Sequence, residues 1–433
     1  MSEAMEWIYS IRGAAWRRRL DRMARLAEVM GVPNGGQRNH VHIGGTNGKG
    51  STVTMAEAML RAAGLTTGSC VSPYVYTVRE RMAANGENIA EQCFIRMANL
   101  AKEAAAQLAA EQYGTCTVFE IFTAMAFAYW EAMGVEYSVV EVGLGGTLDC
   151  TNIIDPVVSA IVSIGFDHMD VLGGSLFEIA EEKAGIIKPG RPAIMGEITA
   201  EAMAPMEERA TEVGATIHRY GKEWIVTADK DRSGFKLESA FGTFDLPKPR
   251  HLRAPIQVHN AGIAAQCFLA ATAGRLSIEE QRAAMETGLQ TAFIPGRFEV
   301  LRRGGRTWIL DGAHNEQSAA ELVRTFRGQY PGIRPNILFG MIQRHDPLPV
   351  AQALKLLGGE IRCVPISWDA AVAPRDLAAT CAITNWHQSL EDAFAHLDSE
   401  FVLVTGSFYL LSDCRKMIDG LEAIGHVAEH SPR

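Results

Sequence analysis

Gly44-Gly45-Thr46-Asn47-Gly48-Lys49-Gly50-Ser51-Thr52 is the stretch on which the fold turns. A strand-like apolar run over residues 40–43 precedes it, and a helix-length segment over 55–63 follows it. Strand, glycine-rich loop and helix in that order are what a phosphate loop needs. Glycines let backbone N–H groups approach a phosphate, the helix start favours an anion, and Lys49 adds a point charge. The spacing departs from G-x-x-x-x-G-K-[ST], because Ile43 stands five before Gly48 and Gly50 separates Lys49 from Ser51. This is therefore not an ordinary kinase or GTPase loop. A glycine-rich turn without a ligand is the bland alternative, and the coincidence of lysine, hydroxyls and helix start weighs against it.

Outward from the loop, strand-like runs alternate with helix-length segments, an α/β pattern. Residues 138–142 and 157–163 read as buried parallel strands, and 119–133, 177–184 and the alanine-rich 90–111 as helices. Residues 224–246 alternate in polarity, with turn signals at Asp231-Arg232-Ser233-Gly234 and Phe241-Gly242-Thr243, and predict antiparallel hairpins. Helices are expected over 256–272 and 277–289. Ile294-Pro295-Gly296-Arg297 then punctuates the chain. A second α/β series follows, with strands expected over 307–311, 336–340, 362–366 and 401–405. The expected domains are 1–295 and 296–433. At 433 residues the chain exceeds one ordinary core.

Apolar residues make up 47% and charged residues 21%, a globular composition. A net charge of −9 argues against general nucleic-acid binding, which wants a basic surface. No apolar run approaches the ~20 residues of a membrane span. Glu3, Glu6, Arg12 and Arg17-Arg18-Arg19 interrupt any signal-peptide core, so the expected compartment is the cytoplasm. The eight cysteines include no C-x-x-C pair, and buried free thiols are the expectation.

Several polar residues stand at expected strand ends, where ligands sit in a parallel α/β sheet. Glu141 closes the run Tyr137–Val142 and meets Gly143-Leu144-Gly145-Gly146, a loop with little side-chain bulk. A Mg²⁺ ion bridging ATP phosphates would fit there, and a structural salt bridge is the alternative. Asp167-His168 could ligate a metal or cap a helix. Lys183, at a helix end, reads on spacing alone as a surface charge favouring the dipole. Asp311-Gly312-Ala313-His314-Asn315 suits either a site or turn and N-cap chemistry. His259-Asn260 and Arg297 lie near the boundary.

Together these segments resemble the Mur ligase superfamily, and within it the folylpolyglutamate synthase/dihydrofolate synthase family. The resemblance runs from about residue 38 to about 413. It is carried by 44–52, Ser72-Pro73, Arg79-Glu80-Arg81, Phe119-Glu120 with Thr123, 141–152, Asp167-His168, 182–190, Asn260-Ala261, 296–299, 311–315 and Thr405-Gly406-Ser407. It implies a P-loop ATPase-like domain with a mostly parallel sheet plus a small antiparallel one, and a smaller Rossmann-like α/β C-terminal domain. It implies an ATP- and Mg²⁺-dependent ligase that joins L-glutamate to a pterin or folate carboxylate through an acyl-phosphate, as a monomer acting on small molecules. Gly45, Thr46, Asn47, Gly48, Lys49, Gly50 and Ser51 would hold ATP phosphates, with Lys49 also catalytic. Ser72 and Glu141 would hold one metal ion, and Glu141 with His168 a second. Lys183 matches a lysine that is carbamylated in the family, which reverses the surface reading. Asn260, Arg297, Asp311 and His314 match nucleotide-binding or active-site positions, His314 among the catalytic ones. Arg81, Phe119, Glu120 and Asp149 match regions near the acceptor.

Two departures bear on the acceptor. Many bacterial relatives carry Gly-Gly-Arg-Leu-Asp-Ala-Thr-Asn where this chain has Gly145-Gly146-Thr147-Leu148-Asp149-Cys150-Thr151-Asn152, and Asp-Lys-Asp where it has Arg344-His345-Asp346. Two other readings compete: a paralogous ligase for a non-folate carboxylate, and a P-loop nucleotide switch without ligation.

Overall fold

The computed structural model describes residues 2–11, 20–166, 169–229 and 234–421. It divides into two compact units. The first comprises Met1–Tyr74, Val78–Arg250 and Ile256–Phe293, and the second Val75–Thr77, His251–Pro255 and Ile294–Arg433.

The first unit is built on strands β1 (Asn39–Gly44), β2 (Thr67–Cys70), β3 (Ala83–Ala84), β4 (Glu87–Asn88), β5 (Tyr137–Glu141), β6 (Pro156–Ile161), β7 (Pro192–Met195) and β8 (Thr216–Arg219). Among the described residues they form one sheet in the order β4-β3-β2-β5-β1-β6-β7-β8. Pairing is parallel except at β2/β3 and β3/β4. β1 lies between β5 and β6. Every residue of β5, Tyr-Ser-Val-Val-Glu, is buried, as expected of a parallel strand covered on both faces. Register pairs Ile43 with Glu141 and Gly44 with Ile161, so the carboxyl ends of the three central strands lie side by side.

The helix Val118–Ala132 is buried without a break from Glu120 to Trp130. It is apolar on all faces, as a helix enclosed on every side must be. The capping box of Thr117 with Glu120 fixes its start. A separate antiparallel sheet follows, β9 (Trp224–Ala228), β10 (Gly234–Ser239) and β11 (Gly242–Pro247), ordered β11-β10-β9. It agrees with the hairpins read from the alternation over 224–246.

The second unit contains β12 (Glu299–Arg303), β13 (Arg306–Asp311), β14 (Asn336–Phe339), β15 (Ile361–Cys363), β16 (Asn385–Trp386) and β17 (Phe401–Thr405), ordered β12-β13-β17-β14-β15-β16. Only β12/β13 is antiparallel. β12 was absent from the sequence reading. Arg302, Arg303 and Arg306 crowd the hairpin, and its polarity conceals a strand pairing through its backbone. The helix after the phosphate loop begins at Lys49, six residues before the sequence-based estimate, because the loop itself starts it. Among the described residues no helix is long and apolar enough to cross a membrane.

Candidate active site

The loop after β1 is held open by its neighbour after β6. Thr46 N donates to Ser163 O at 2.8 Å, and Asn47 N to Ser163 Oγ at 3.0 Å. Thr46 Oγ1 donates to Gly165 O at 3.2 Å and accepts from Gly165 N at 3.0 Å. Gly48, at φ +88°, ends the loop in the left-handed conformation and leads directly into the helix Lys49–Ala62. A β-carbon there would come within 2.7 Å of Asn260 Oδ1, so the buried Asn260 side chain lies against the loop. Asn260 is held in turn by Gln257, with Nδ2 donating to Oε1 at 3.0 Å.

Lys49 Nζ donates to the carbonyl oxygens of Gly45 and Thr46, each at 3.1 Å. Lys183 Nζ donates to the same Gly45 oxygen, also at 3.1 Å. Two lysines from distant parts of the chain thus converge on one carbonyl in the phosphate loop. Lys183 is 4% exposed. The surface position read from its spacing is therefore corrected: residues 143–152 fold over the end of its helix. Thr147 N and Oγ1 both donate to Glu182 O, at 2.8 and 3.0 Å, and Asn152 Nδ2 donates to Gly185 O at 3.2 Å.

Glu141, 4% exposed at the end of β5, accepts from Ser72 N at 2.7 Å through Oε2. Ser72 precedes the cis-proline Pro73. The Glu141 carboxylate thus stands beside residue Ser72, and carboxylate and hydroxyl oxygens are hard donors of the kind Mg²⁺ prefers. His168 lies outside the described residues, as does Asp167.

Arg81 reaches over two aromatic rings, its guanidinium carbon 5.2 Å from the Phe119 centroid and 5.0 Å from that of Phe122. Phe119 presses on the next loop, since a β-carbon at Gly143 would fall 2.3 Å from its Cζ. Behind that face sits Asp149, 5% exposed. Its Oδ2 accepts from Leu144 N at 2.9 Å and its Oδ1 from Thr151 N at 3.0 Å. Burial pushes its carboxyl above the usual carboxylate range, and these hydrogen bonds pull the other way.

In the second unit Asp311 ends β13 and accepts from Phe298 N at 2.8 Å and Ala313 N at 2.9 Å. Burial raises its pKa, opposed chiefly by the charge of Arg297. The Arg297 guanidinium lies 4.8 Å from the Phe408 centroid. His314 Nδ1 stands 2.8 Å from Gly312 O. A carbonyl only accepts, so that nitrogen carries the proton. Its ring lies 4.7 Å from that of His345.

A family model of the Mur ligase middle domain matches residues 43–263, and one of the Mur ligase glutamate ligase domain matches 296–408. The dihydrofolate synthase/folylpolyglutamate synthase of Bacillus subtilis is 32% identical over 430 residues, covering 96% of this chain and 98% of that protein. The chain belongs to the folylpolyglutamate synthase/dihydrofolate synthase family of Mur ligases. Escherichia coli FolC, solved in complex with DHPP and ADP, superposes with a TM-score of 0.83 at 28% identity, covering 96% of this chain and 98% of that one. A bifunctional folylpolyglutamate synthase/dihydrofolate synthase with Mn, AMPPNP and L-glutamate bound gives a TM-score of 0.81 at 27% identity over 96% and 98% of the two chains.

As a Mur ligase the chain is an ATP-dependent amino-acid ligase. Glu120, expected near the acceptor, has its carboxylate engaged within the protein. Glu120 of this ligase is buried against Arg22, whose Nε donates to its two oxygens at 2.9 and 3.1 Å. The same carboxylate accepts from Thr117 N at 2.7 Å and Thr117 Oγ1 at 2.9 Å. Its oxygens serve the helix start and an ion pair. Residues 387–396 escaped the sequence reading too, although His387, Asp392 and His396 approach metal-ligand spacing. His396 Nδ1 donates to the Asp392 carbonyl at 2.8 Å, so it turns a proton toward that residue and the group is a helix-end hydrogen-bond cluster. His42 was missed because its partner comes from residue 151, and the two histidines of this short strand, His40 and His42, carry no local sign of it.

Proposed function

We propose that this ligase joins the amine of L-glutamate to the carboxylate of a pterin or folate, converting ATP to ADP and phosphate. The observation that carries the reading is the register Ile43–Glu141, which sets the phosphate loop and a buried carboxylate side by side at the carboxyl ends of two central strands. The near full-length relative from Bacillus subtilis, named for this chemistry, supports the substrates.

A carboxylate is a poor acyl donor, since its leaving group would be oxide. Its attack on the γ-phosphorus gives an acyl-phosphate and ADP. Glutamate nitrogen then adds to the acyl carbon, and the tetrahedral adduct expels phosphate. The roles of this chain's residues follow from charge and position. Backbone N–H groups of 45–51 and Lys49 would hold the phosphates and neutralise the transferring group. Ser72 and Glu141 would hold Mg²⁺, with Glu141 and His168 at a second ion. Bound there, the metal supplies charge neutralisation on the phosphates. Asn260, Arg297 and Asp311 would bind nucleotide, His314 would act at the reacting groups, and Arg81 and Phe119 would take the acceptor.

Lys183 as a carbamate fits its surroundings. Two ammonium groups that each lie 3.1 Å from one oxygen are at most about 6 Å apart, where they repel by on the order of 3 kcal/mol at an effective dielectric of about 20. Lys183 and Lys49 share one carbonyl partner, so making Lys183 anionic turns that repulsion into attraction. A cytoplasmic monomer acting on small molecules is the matching cellular reading. The domains on this reading are 1–295, for ATP, and 296–433.

The test is incubation with ATP, Mg²⁺ and L-glutamate plus dihydropteroate or a reduced folate, following phosphate and product mass. A product heavier by one glutamyl residue, with stoichiometric phosphate, is expected. No stimulation by either acceptor would shift the assignment to a non-folate carboxylate.

A further inference from the structure

We propose that His42, Thr151 and Asp149 form a positioning chain, which fixes the 143–152 loop for the acceptor by tying it to the strand that carries the phosphate loop. The inference deepens the function proposed above and rests on it for the identity of the acceptor.

The direction of each bond follows from counting protons. Thr151 Oγ1 donates its one proton to Asp149 Oδ1. Thr151 Oγ1 also stands 2.8 Å from His42 Nε2. With its proton already committed, the hydroxyl must accept there, so His42 carries its proton on Nε2. Asp149 adds Leu144 N at 2.9 Å and Thr151 N at 3.0 Å, closing the loop on itself. His42 and Thr151 are fully buried and Asp149 is 5% exposed.

His42 Nδ1 is the telling atom. It is buried and has no hydrogen-bond partner. An orphaned acceptor inside a strand is unfavourable. Val41 and Ile43 are what the other face of this strand buries, and His40, two residues back on the same face, is likewise buried with its Nε2 unpaired. An apolar residue at 42 would avoid the orphan but would lose the bond from Nε2 to Thr151 Oγ1.

The chain ends where the acceptor reading begins. The space at Gly143 is bounded by the Phe119 ring on one side and Asp149 Oδ2 on the other, at 2.3 and 3.1 Å from a β-carbon built there. Moving Asp149 moves Gly143 and the ring beneath Arg81. The middle of the loop, at Thr147, is bonded to Glu182 O, next to Lys183.

Two readouts test the chain in Thr151→Val, which keeps the shape and removes the hydroxyl, and in Thr151→Ser, which restores it. Thr151→Val is expected to raise the KM for the pterin or folate acceptor about tenfold, leave the KM for ATP within about twofold, and yield to rescue by Thr151→Ser. In the substrate-free protein, hydrogen exchange at the Leu144 amide is expected to rise about tenfold in Thr151→Val and to return in Thr151→Ser. Should Thr151→Val fail to fold, His42→Leu carries both measurements. Unchanged Leu144 protection overturns the proposal, as do parallel rises in both KM values without serine rescue. A wild-type protein that ignores pterins and folates would sink the acceptor reading alone, and Leu144 exchange would still decide the chain.

Discussion

The Gly45 carbonyl gathers two amines, and this gives each lysine a separate prediction. Lys49 comes from the helix start and matches a phosphate-loop lysine. Lys49→Met is expected to lower kcat by about 100-fold or more, as loss of a charge-stabilising donor does, with the thermal melt unchanged. Steady-state phosphate release checks it. Lys183 is expected to take up carbon dioxide. Protein equilibrated with isotopically labelled bicarbonate should show a carbamate resonance that Lys183→Arg abolishes, and that variant should lose amide synthesis. A resonance persisting in the arginine variant would assign the carbamate elsewhere. The two residues also differ in how far the sequence reveals them. Glycines and hydroxyls around Lys49 announce its setting locally. Lys183 sits on a helix end whose spacing points to solvent, and only the return of residues 143–152 over that end buries it. Such a contact joins positions 35 apart, and no local pattern encodes it.

At the scale of elements, the helices Leu20–Val29 and Val118–Ala132 are joined by the Arg22–Glu120 ion pair, whose side chains are 4% and 5% exposed. Removing one partner strands a buried charge. Arg22→Met is expected to destabilise the first unit by about 3–5 kcal/mol, and Arg22→Met with Glu120→Leu by much less. Denaturant titration of the single and double variants measures the difference. β1 makes a second prediction through His40. Burial, reinforced by the charge of Arg38, lowers its pKa to about 4 from 6.5. The folded chain therefore keeps this imidazole neutral between those values while the unfolded chain takes up a proton. Stability from this site is complete above pH 6.5 and is lost as pH falls toward 4, by on the order of 3 kcal/mol. Denaturation midpoints across that window should fall less steeply in His40→Gln. Central strands and long helices were legible because apolar runs and period persist over many residues. β12, β7 and β8 were not, since short or edge strands pair through backbone groups that any side chain permits.

Across the whole molecule, one α/β series ends near Pro295 and another begins, and the two units divide at Phe293 and Ile294 apart from the short excursions Val75–Thr77 and His251–Pro255. Those excursions carry no composition signal, because they join the second unit by tertiary packing alone. The phosphate loop, Glu141 and the strand-end residues of β13 were legible as candidates, since each is a polar group placed where an apolar element stops. Their shared reaction was not, and it came from ordered resemblance along the chain. The central claim, activation of an acceptor carboxylate as an acyl-phosphate, has a direct test. An acceptor with heavy oxygen in the reacting carboxylate is turned over with ATP, Mg²⁺ and L-glutamate, and the phosphate is weighed. One labelled oxygen should appear in inorganic phosphate for each amide formed. Label absent from phosphate, or found in AMP, would contradict the account.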